Sequence, residues 1–313
     1  MSSEHVQTID LTAFTGRVFF LADPYGHYSV LCNLIHSVTG PNEDVIIFAT
    51  GNLFDYGPEP MELMLAINSG LFGGRNVRFY SAAGAGEDML LKLLPSNPDR
   101  RKFYPSTFEN ERWCSLGGAW HKTVNRFHLE DQINKLALTQ LPVLLRLELK
   151  GDIRIGLCSS DYAAIRKTFQ DTYNALFSFN TLNIASYHSQ FLYGLDHAVT
   201  PVYVDGVNFM ILGRNPVNSI RKSHGLPLTN SPVLIGNSLH INTGSLYLSA
   251  TGPIYAPGIE KVSSPCMTLV ELDISSEPTL ISHQYEQKAN GHYGLKSNVI
   301  DLVSRANHVE VTL

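Results

Sequence analysis

Three times in the first hundred residues an apolar run breaks at a glycine-containing turn and gives way to helical periodicity. No other feature of the chain restricts its fold as much. Arg17-Val18-Phe19-Phe20-Leu21 stops at Asp23, turns through Pro24 and Gly26, and is followed by Val30, Leu31, Leu34, Ile35 and Val38 at helical spacing. Val45–Ala49 runs into Gly51 and Gly57 ahead of a helical pattern over Met61–Leu71. Val77–Ala82 runs into Gly84 and Gly86 ahead of another over Asp88–Leu94. Strand–turn–helix units in succession predict an α/β protein that begins with parallel pairing. Such turns gather side chains at one sheet edge, where α/β proteins place their chemistry. Asp23 is the first carboxylate at that edge.

Further strands are predicted at Leu144–Leu149, Ile153–Cys158, Val207–Leu212, Leu239–Asn242 and Cys266–Asp273. Helices are predicted at Leu129–Leu138 and Tyr162–Phe177, with an antiparallel finish in the last third. No repeat, low-complexity segment or long linker divides the 313 residues, so a single domain over 1–313 is expected. With 23 Lys+Arg against 28 Asp+Glu and no basic run beyond Asp99-Arg100-Arg101-Lys102, a nucleic-acid partner is disfavoured. No signal peptide is visible at the N-terminus and no apolar run approaches a membrane span, so a cytoplasmic protein without a membrane partner is expected. Cys32, Cys114, Cys158 and Cys266 lie far apart and read as reduced thiols.

The segments at the sheet edge resemble, in order, the motifs of the lambda-phage-type serine/threonine phosphatases of the calcineurin-like metallophosphoesterase family. "ADPYG" lies where that family has GDxHG, "GNLFDYGPEPMELM" resembles GDxVDRG and its helix, and "GAGEDML" resembles GNHE. "WCSLGGAW" resembles the Trp and Gly-Gly segment that follows. "IGLCSSDYA" resembles the stretch carrying His-Ala, and "ILGRNPV…HINTGSLY" the GHTP and DTG segments. The resemblance covers about Gly16 to Asp273. It implies a four-layer α/β sandwich of two mixed sheets flanked by helices. It also marks loop insertions near 217–239 and 248–266 and a C-terminal extension over 275–313.

The departures decide what the resemblance implies about function. Of six positions that hold two divalent cations in the family, the first acid alone survives, as Asp23. The others are Tyr25, Asn52, Ala85, Ser159 and Arg214. Gly86 stands where the family has its proton-donating His, and Tyr56 where it has a phosphate-gripping Arg. Asp55 matches the acid that orients the missing His, and so is expected to have lost its partner. Divalent metals of this kind want imidazole and carboxylate ligands, and Arg214 sets a fixed positive charge among them. Asp23 is expected to cap the following helix or to pair with Arg214. Arg214 itself is a second candidate, for a phosphate or another anion. His27 is displaced by two residues from the old ligand position, and Trp113 and Trp120 are expected to pack in the core or its rim.

These residues imply a catalytically inactive phosphatase-like protein, a pseudophosphatase of phage or bacterial origin, acting as a protein-binding or scaffolding module without a cofactor or metal. The alternative is a divergent phosphoesterase, or a phosphate- or nucleotide-binding protein with an atypical metal centre. Under the first reading the partner surface is expected outside the old pocket. Leu226, Leu228, Ile254, Tyr255 and Ile259 on the two insertions are candidates, with Tyr285 and Tyr293 of the extension beside them.

Overall fold

The computed structural model describes residues 5–93, 107–136, 141–162, 168–178, 185–201, 203–248, 266–273, 279–288 and 293–300. Strand β1 (Val6–Asp10) precedes β2 (Arg17–Leu21), α1 (Tyr28–Val38), β3 (Val45–Ala49), α2 (Pro60–Ser69), β4 (Leu71–Phe72), β5 (Arg75–Ser81) and α3 (Ala85–Leu93). Helices α4 (Thr107–Ser115) and α5 (Arg126–Lys135) lead to β6 (Leu144–Glu148) and β7 (Arg154–Cys158). Then come α6 (Phe169–Ser178), α7 (Ala185–Tyr193), α8 (Asp196–Val199), β8 (Phe209–Pro216), α9 (Val217–Ser223), β9 (Val233–Ile235) and β10 (Ser238–Asn242). Strands β11 (Cys266–Asp273), β12 (Thr279–Gln287) and β13 (Tyr293–Ile300) complete the described chain.

Two mixed sheets form. One has the order β1-β6-β7-β8-β10-β9 and the other β13-β12-β11-β2-β3-β5-β4. β2, β3 and β5 pair in parallel, as their strand–helix alternation requires, with Phe20 opposite Phe48 and Phe48 opposite Tyr80. β11 adds antiparallel to β2, and β12 and β13 follow antiparallel beyond it. In the other sheet the last third is not wholly antiparallel, because β8 lies parallel to both β7 and β10.

Strands buried on both faces present alternate side chains to opposite cores. Val18, Phe20, Ile46, Phe48 and Val270 face Leu145, Leu147, Ile155, Ile211 and Leu239, which packs the sheets face to face. The alternate residues Phe19, Leu21, Ile47 and Leu269 pack on Leu31, Leu34 and Ile35 of α1 and on Leu63 and Met64 of α2. On the far side, Leu144, Cys158, Met210 and Leu212 pack on Phe169 and Leu176 of α6 and Phe191 of α7. The protein is therefore a four-layer α/β sandwich. Among the described residues no helix is long and apolar enough to cross a membrane. Cys32, Cys158 and Cys266 are buried and Cys114 is partly so, all as free thiols.

The segment after Pro216 is more than a loop. Val217 and Ile220, one helical turn apart, turn inward with Val233 and Ile235, and Leu226 packs against that small core. The buried Arg221 guanidinium fixes the turn by donating to the carbonyls of Pro227, Ser231 and Pro232. Leu228 stays 61% exposed, while Ile254, Tyr255 and Ile259 lie outside the described residues. Tyr285 and Tyr293 are not free on a surface; their rings stack 5.0 Å apart and pack against the core beside α1.

Candidate functional site: a hydrogen-bonded pocket at the sheet edge

The turns after β2, β3 and β5 meet the end of β8 at a cavity of about 480 Å³. Tyr25, Asn52, Asp55, Tyr56, Ala85, Gly86 and Arg214 all line it, so the structure gathers seven of the nine positions singled out in the sequence. Asp23 lies fully buried and is bonded to two of the lining residues, Tyr25 and Asn52. Ser159 is likewise fully buried, and its carbonyl accepts the Gly213 N–H.

The backbone here is held in an unusual state. Six non-glycine residues among those described have positive φ, and five of them are Asp23 (42°), Tyr25 (46°), Asn52 (52°), Tyr56 (68°) and Arg214 (31°). For Tyr and Arg this left-handed conformation costs on the order of 1 kcal/mol or more each and persists only where surrounding structure enforces it. One enforcing group is Glu87, which sequence reasoning passed over. Its buried carboxylate accepts the N–H groups of Asn52, Leu53 and Gly84 at 2.7–2.9 Å, locking the turn after β3 to the turn after β5. Burial raises the Glu87 pKa, opposed by those N–H donors. The two turns also touch directly. A Cβ on Gly51, at φ +94°, would lie 2.4 Å from Gly84 N.

Asp23 does not cap α1, and Arg214 reaches it through its backbone N–H and its nearby charge rather than through a guanidinium ion pair. The N-cap position of α1 is His27, which makes no side-chain cap bond. The Arg214 guanidinium instead lies over the Tyr193 ring, 5.0 Å from its centroid. The Asp23 carboxylate accepts from Tyr25 Oη at 3.0 Å, Asn52 Nδ2 at 3.2 Å and Asn242 Nδ2 at 3.0 Å. Both amides are fixed in orientation, because Asn52 Oδ1 accepts the Gly86 N–H and Asn242 Oδ1 accepts the Gly244 N–H. Burial pushes the Asp23 carboxyl up to about 7, opposed by the bonds from Asn52 and Tyr25 and by the nearby Arg214 charge. Asn242 was not singled out in the sequence, although "INTG" at the DTG position carried the signal.

Asp55 has not been left without partners. Trp113 Nε1 donates to it at 3.1 and 3.2 Å, and Trp120 Nε1 at 3.1 Å. Gly86 makes room for this arrangement, since a Cβ there would lie 2.6 Å from Asp55 Oδ2. Burial lifts the Asp55 carboxyl to about 7, against the two indole hydrogen bonds. His27 is buried too, and burial lowers it to about 4, so it stays neutral near pH 7.

A pair of divalent cations does not fit this donor set. The carboxylate oxygens of Asp23 and the amide oxygens of Asn52 and Asn242 already accept internal hydrogen bonds, and both amide nitrogens turn toward Asp23. Among the described residues, no group of three or more His, Cys, Asp or Glu side chains gathers as a metal-binding cluster. The remaining lining combines Arg214 and Arg112 with the rings of Tyr25, Tyr56 and Tyr193 and apolar side chains such as Leu195, Val199 and Ile220. Burial raises the Tyr56 and Tyr193 hydroxyls to about 12, so both stay protonated. The chemistry on offer is anion pairing and apolar contact.

No protein-family model matches the chain, and no curated protein matches its sequence. Solved structures do resemble it. A protein serine/threonine phosphatase from Saccharomyces cerevisiae is similar at 10% identity and a TM-score of 0.47, over 94% of this chain and 83% of that one. Vps29 from Chaetomium thermophilum is similar at 11% identity and a TM-score of 0.39, over 91% of this chain and 94% of that one. A metallophosphoesterase from Sphaerobacter thermophilus is similar at 11% identity and a TM-score of 0.36, over 91% and 88%.

Proposed function

We propose that the chain is a degenerate member of the calcineurin-like metallophosphoesterase family, a pseudophosphatase that acts by binding rather than by phosphoryl hydrolysis. The motif-like segments, taken in order, support the family reading, since their residues converge on one sheet edge of a four-layer sandwich. A single observation carries the loss of catalysis: Asp23, Asn52, Asn242 and Tyr25 close on one another through hydrogen bonds where the family would hold its cations. Without metals there is no activated hydroxide and no clamp on phosphoryl oxygens. The family's acid is Gly86 here and its phosphate-gripping Arg is Tyr56.

The role that remains is that of a binding or scaffolding module for a protein partner, for which the exposed Leu228 offers one apolar contact. Hydrolysis of an aryl phosphate with added manganese tests the loss of catalysis. Turnover indistinguishable from buffer is expected, and Asn52→Asp alone is expected not to restore it, because a site whose parts act as a unit is not rebuilt singly. Turnover that scales with protein and disappears in Asp23→Ala would establish the enzyme alternative.

A further inference from the structure

We infer that the cavity binds a small organic carboxylate, its head held by Arg214 and Arg112 and its apolar body by Leu195, Val199 and Ile220. This goes beyond the proposed protein-binding role by assigning a ligand to the pocket itself. The cavity, about 480 Å³, has the size of a small-molecule site. Its cations are free to act. Arg112 is exposed, Arg214 lies against Tyr193, and neither guanidinium meets a carboxylate among the described residues. Asp55 lines the same space, but its oxygens accept from Trp113 and Trp120, and burial holds it largely neutral below pH 7. The Asp23 carboxyl, near Arg214, is closed off by Tyr25, Asn52 and Asn242, so both guanidiniums face the cavity without an ion-pair partner among the described residues.

The number of remaining donors selects the head group. A phosphate has three or more oxygens to satisfy and is usually cradled by loop N–H groups. Here those groups already have acceptors. Asn52, Leu53 and Gly84 donate to Glu87, Gly86 to Asn52, Tyr25 to the Asn52 carbonyl and Gly26 to the Leu53 carbonyl. What is left are the planar forks of Arg214 and Arg112, which pair the two oxygens of a carboxylate, while a phosphate finds none of these loop N–H groups free to cradle it. The apolar side of the cavity sets the rest of the ligand. Leu195 is 57% exposed and Val199 61% exposed at its rim, and the buried Ile220 of α9 also lines it. An aromatic or branched acyl body covers such a wall, and a compact anion such as acetate leaves it wet.

The two tryptophans of the chain both bond to Asp55 at the cavity wall, so their emission reports occupancy alongside calorimetry. The test titrates the full chain, in chelator, with 4-phenylbutyrate, with 4-phenylbutanol and with phenyl phosphate. Saturable binding of 4-phenylbutyrate is expected, with the alcohol at least about tenfold weaker because it lacks the charge. Arg214→Gln, and separately the rim variant Leu195→Asp, should each weaken the carboxylate about tenfold or more, with unchanged thermal melting to show that they fold. Three results would overturn the inference: no saturation by about 5 mM, equal affinity for acid and alcohol, or phenyl phosphate binding about tenfold more tightly than the carboxylate. The titration runs without metal, so it stands or falls separately from the loss of hydrolysis. Turnover of phenyl phosphate with manganese would end the pseudophosphatase reading and leave the chelator titration as it was.

Discussion

Among the described residues Asp55 meets two indole N–H groups and no cation, and its folded pKa of about 7 lies above the ordinary carboxylate value near 4. Between those values the native chain keeps a proton that the unfolded chain has released. Its contribution to stability is therefore greatest at low pH and is lost as pH rises from about 4 to about 7, by up to ~4 kcal/mol at 1.36 kcal/mol per unit. Asp55→Asn, which keeps an oxygen for the indoles, should reduce that slope and leave the part that Asp23, also raised to about 7, contributes. Both tryptophans of the chain bond to this carboxyl. Tryptophan emission should thus titrate with a midpoint near 7 in the native protein and show no such titration in Asp55→Asn; an unchanged titration in the variant would remove Asp55 as its source. At this scale the sequence was half legible. Asp55 could be placed by its motif, yet its partners lie 58 and 65 residues away, beyond any local pattern. The same distance hid Asn242, 219 residues from the Asp23 it bonds.

Glu87 belongs to the next scale, where turns are joined. It sits in the first turn of α3, and its carboxylate draws in the N–H groups of two turns that follow different strands. Glu87→Gln keeps one acceptor oxygen and brings a donor against the N–H groups. A loss of about 2–3 kcal/mol is expected, the magnitude of a hydrogen bond to a charged group plus the cost of an unsatisfied N–H. Chemical denaturation measures it, and a loss below about 0.5 kcal/mol would show the turns to be held by other means. Elements with long apolar runs were legible to the residue, as in β2, β3 and β11. Others were missed for identifiable reasons. β1 alternates on a sheet edge and is too polar to stand out, and α4 ("TFENERWCS") has no continuous apolar stripe. β8 runs four residues past its expected end, to Pro216, because Arg214 continues the strand at a positive φ that no propensity anticipates.

Across the whole molecule, the layers follow from burial that the strand runs already announce, and the last strands extend the same sheet. Arg17 of β2, Glu271 of β11 and His283 of β12 join three neighbouring strands, at 2.5 Å and 2.9 Å. Burial alone would raise the Glu271 carboxyl, but hydrogen bonds from His283 and Arg17 hold it down to about 2. At the opposite end of the strands, three neutral side chains, Tyr25, Asn52 and Asn242, close around Asp23 where the resemblance would place two cations. Whether that closure is what the chain uses is decided by metal content. The full chain is incubated with manganese, desalted and analysed for manganese, iron and zinc. Well under about one-tenth of an ion per chain is predicted, since the oxygens of Asp23, Asn52 and Asn242 already accept internal hydrogen bonds. About one ion or more per chain, lost in Asp23→Ala, would contradict the account.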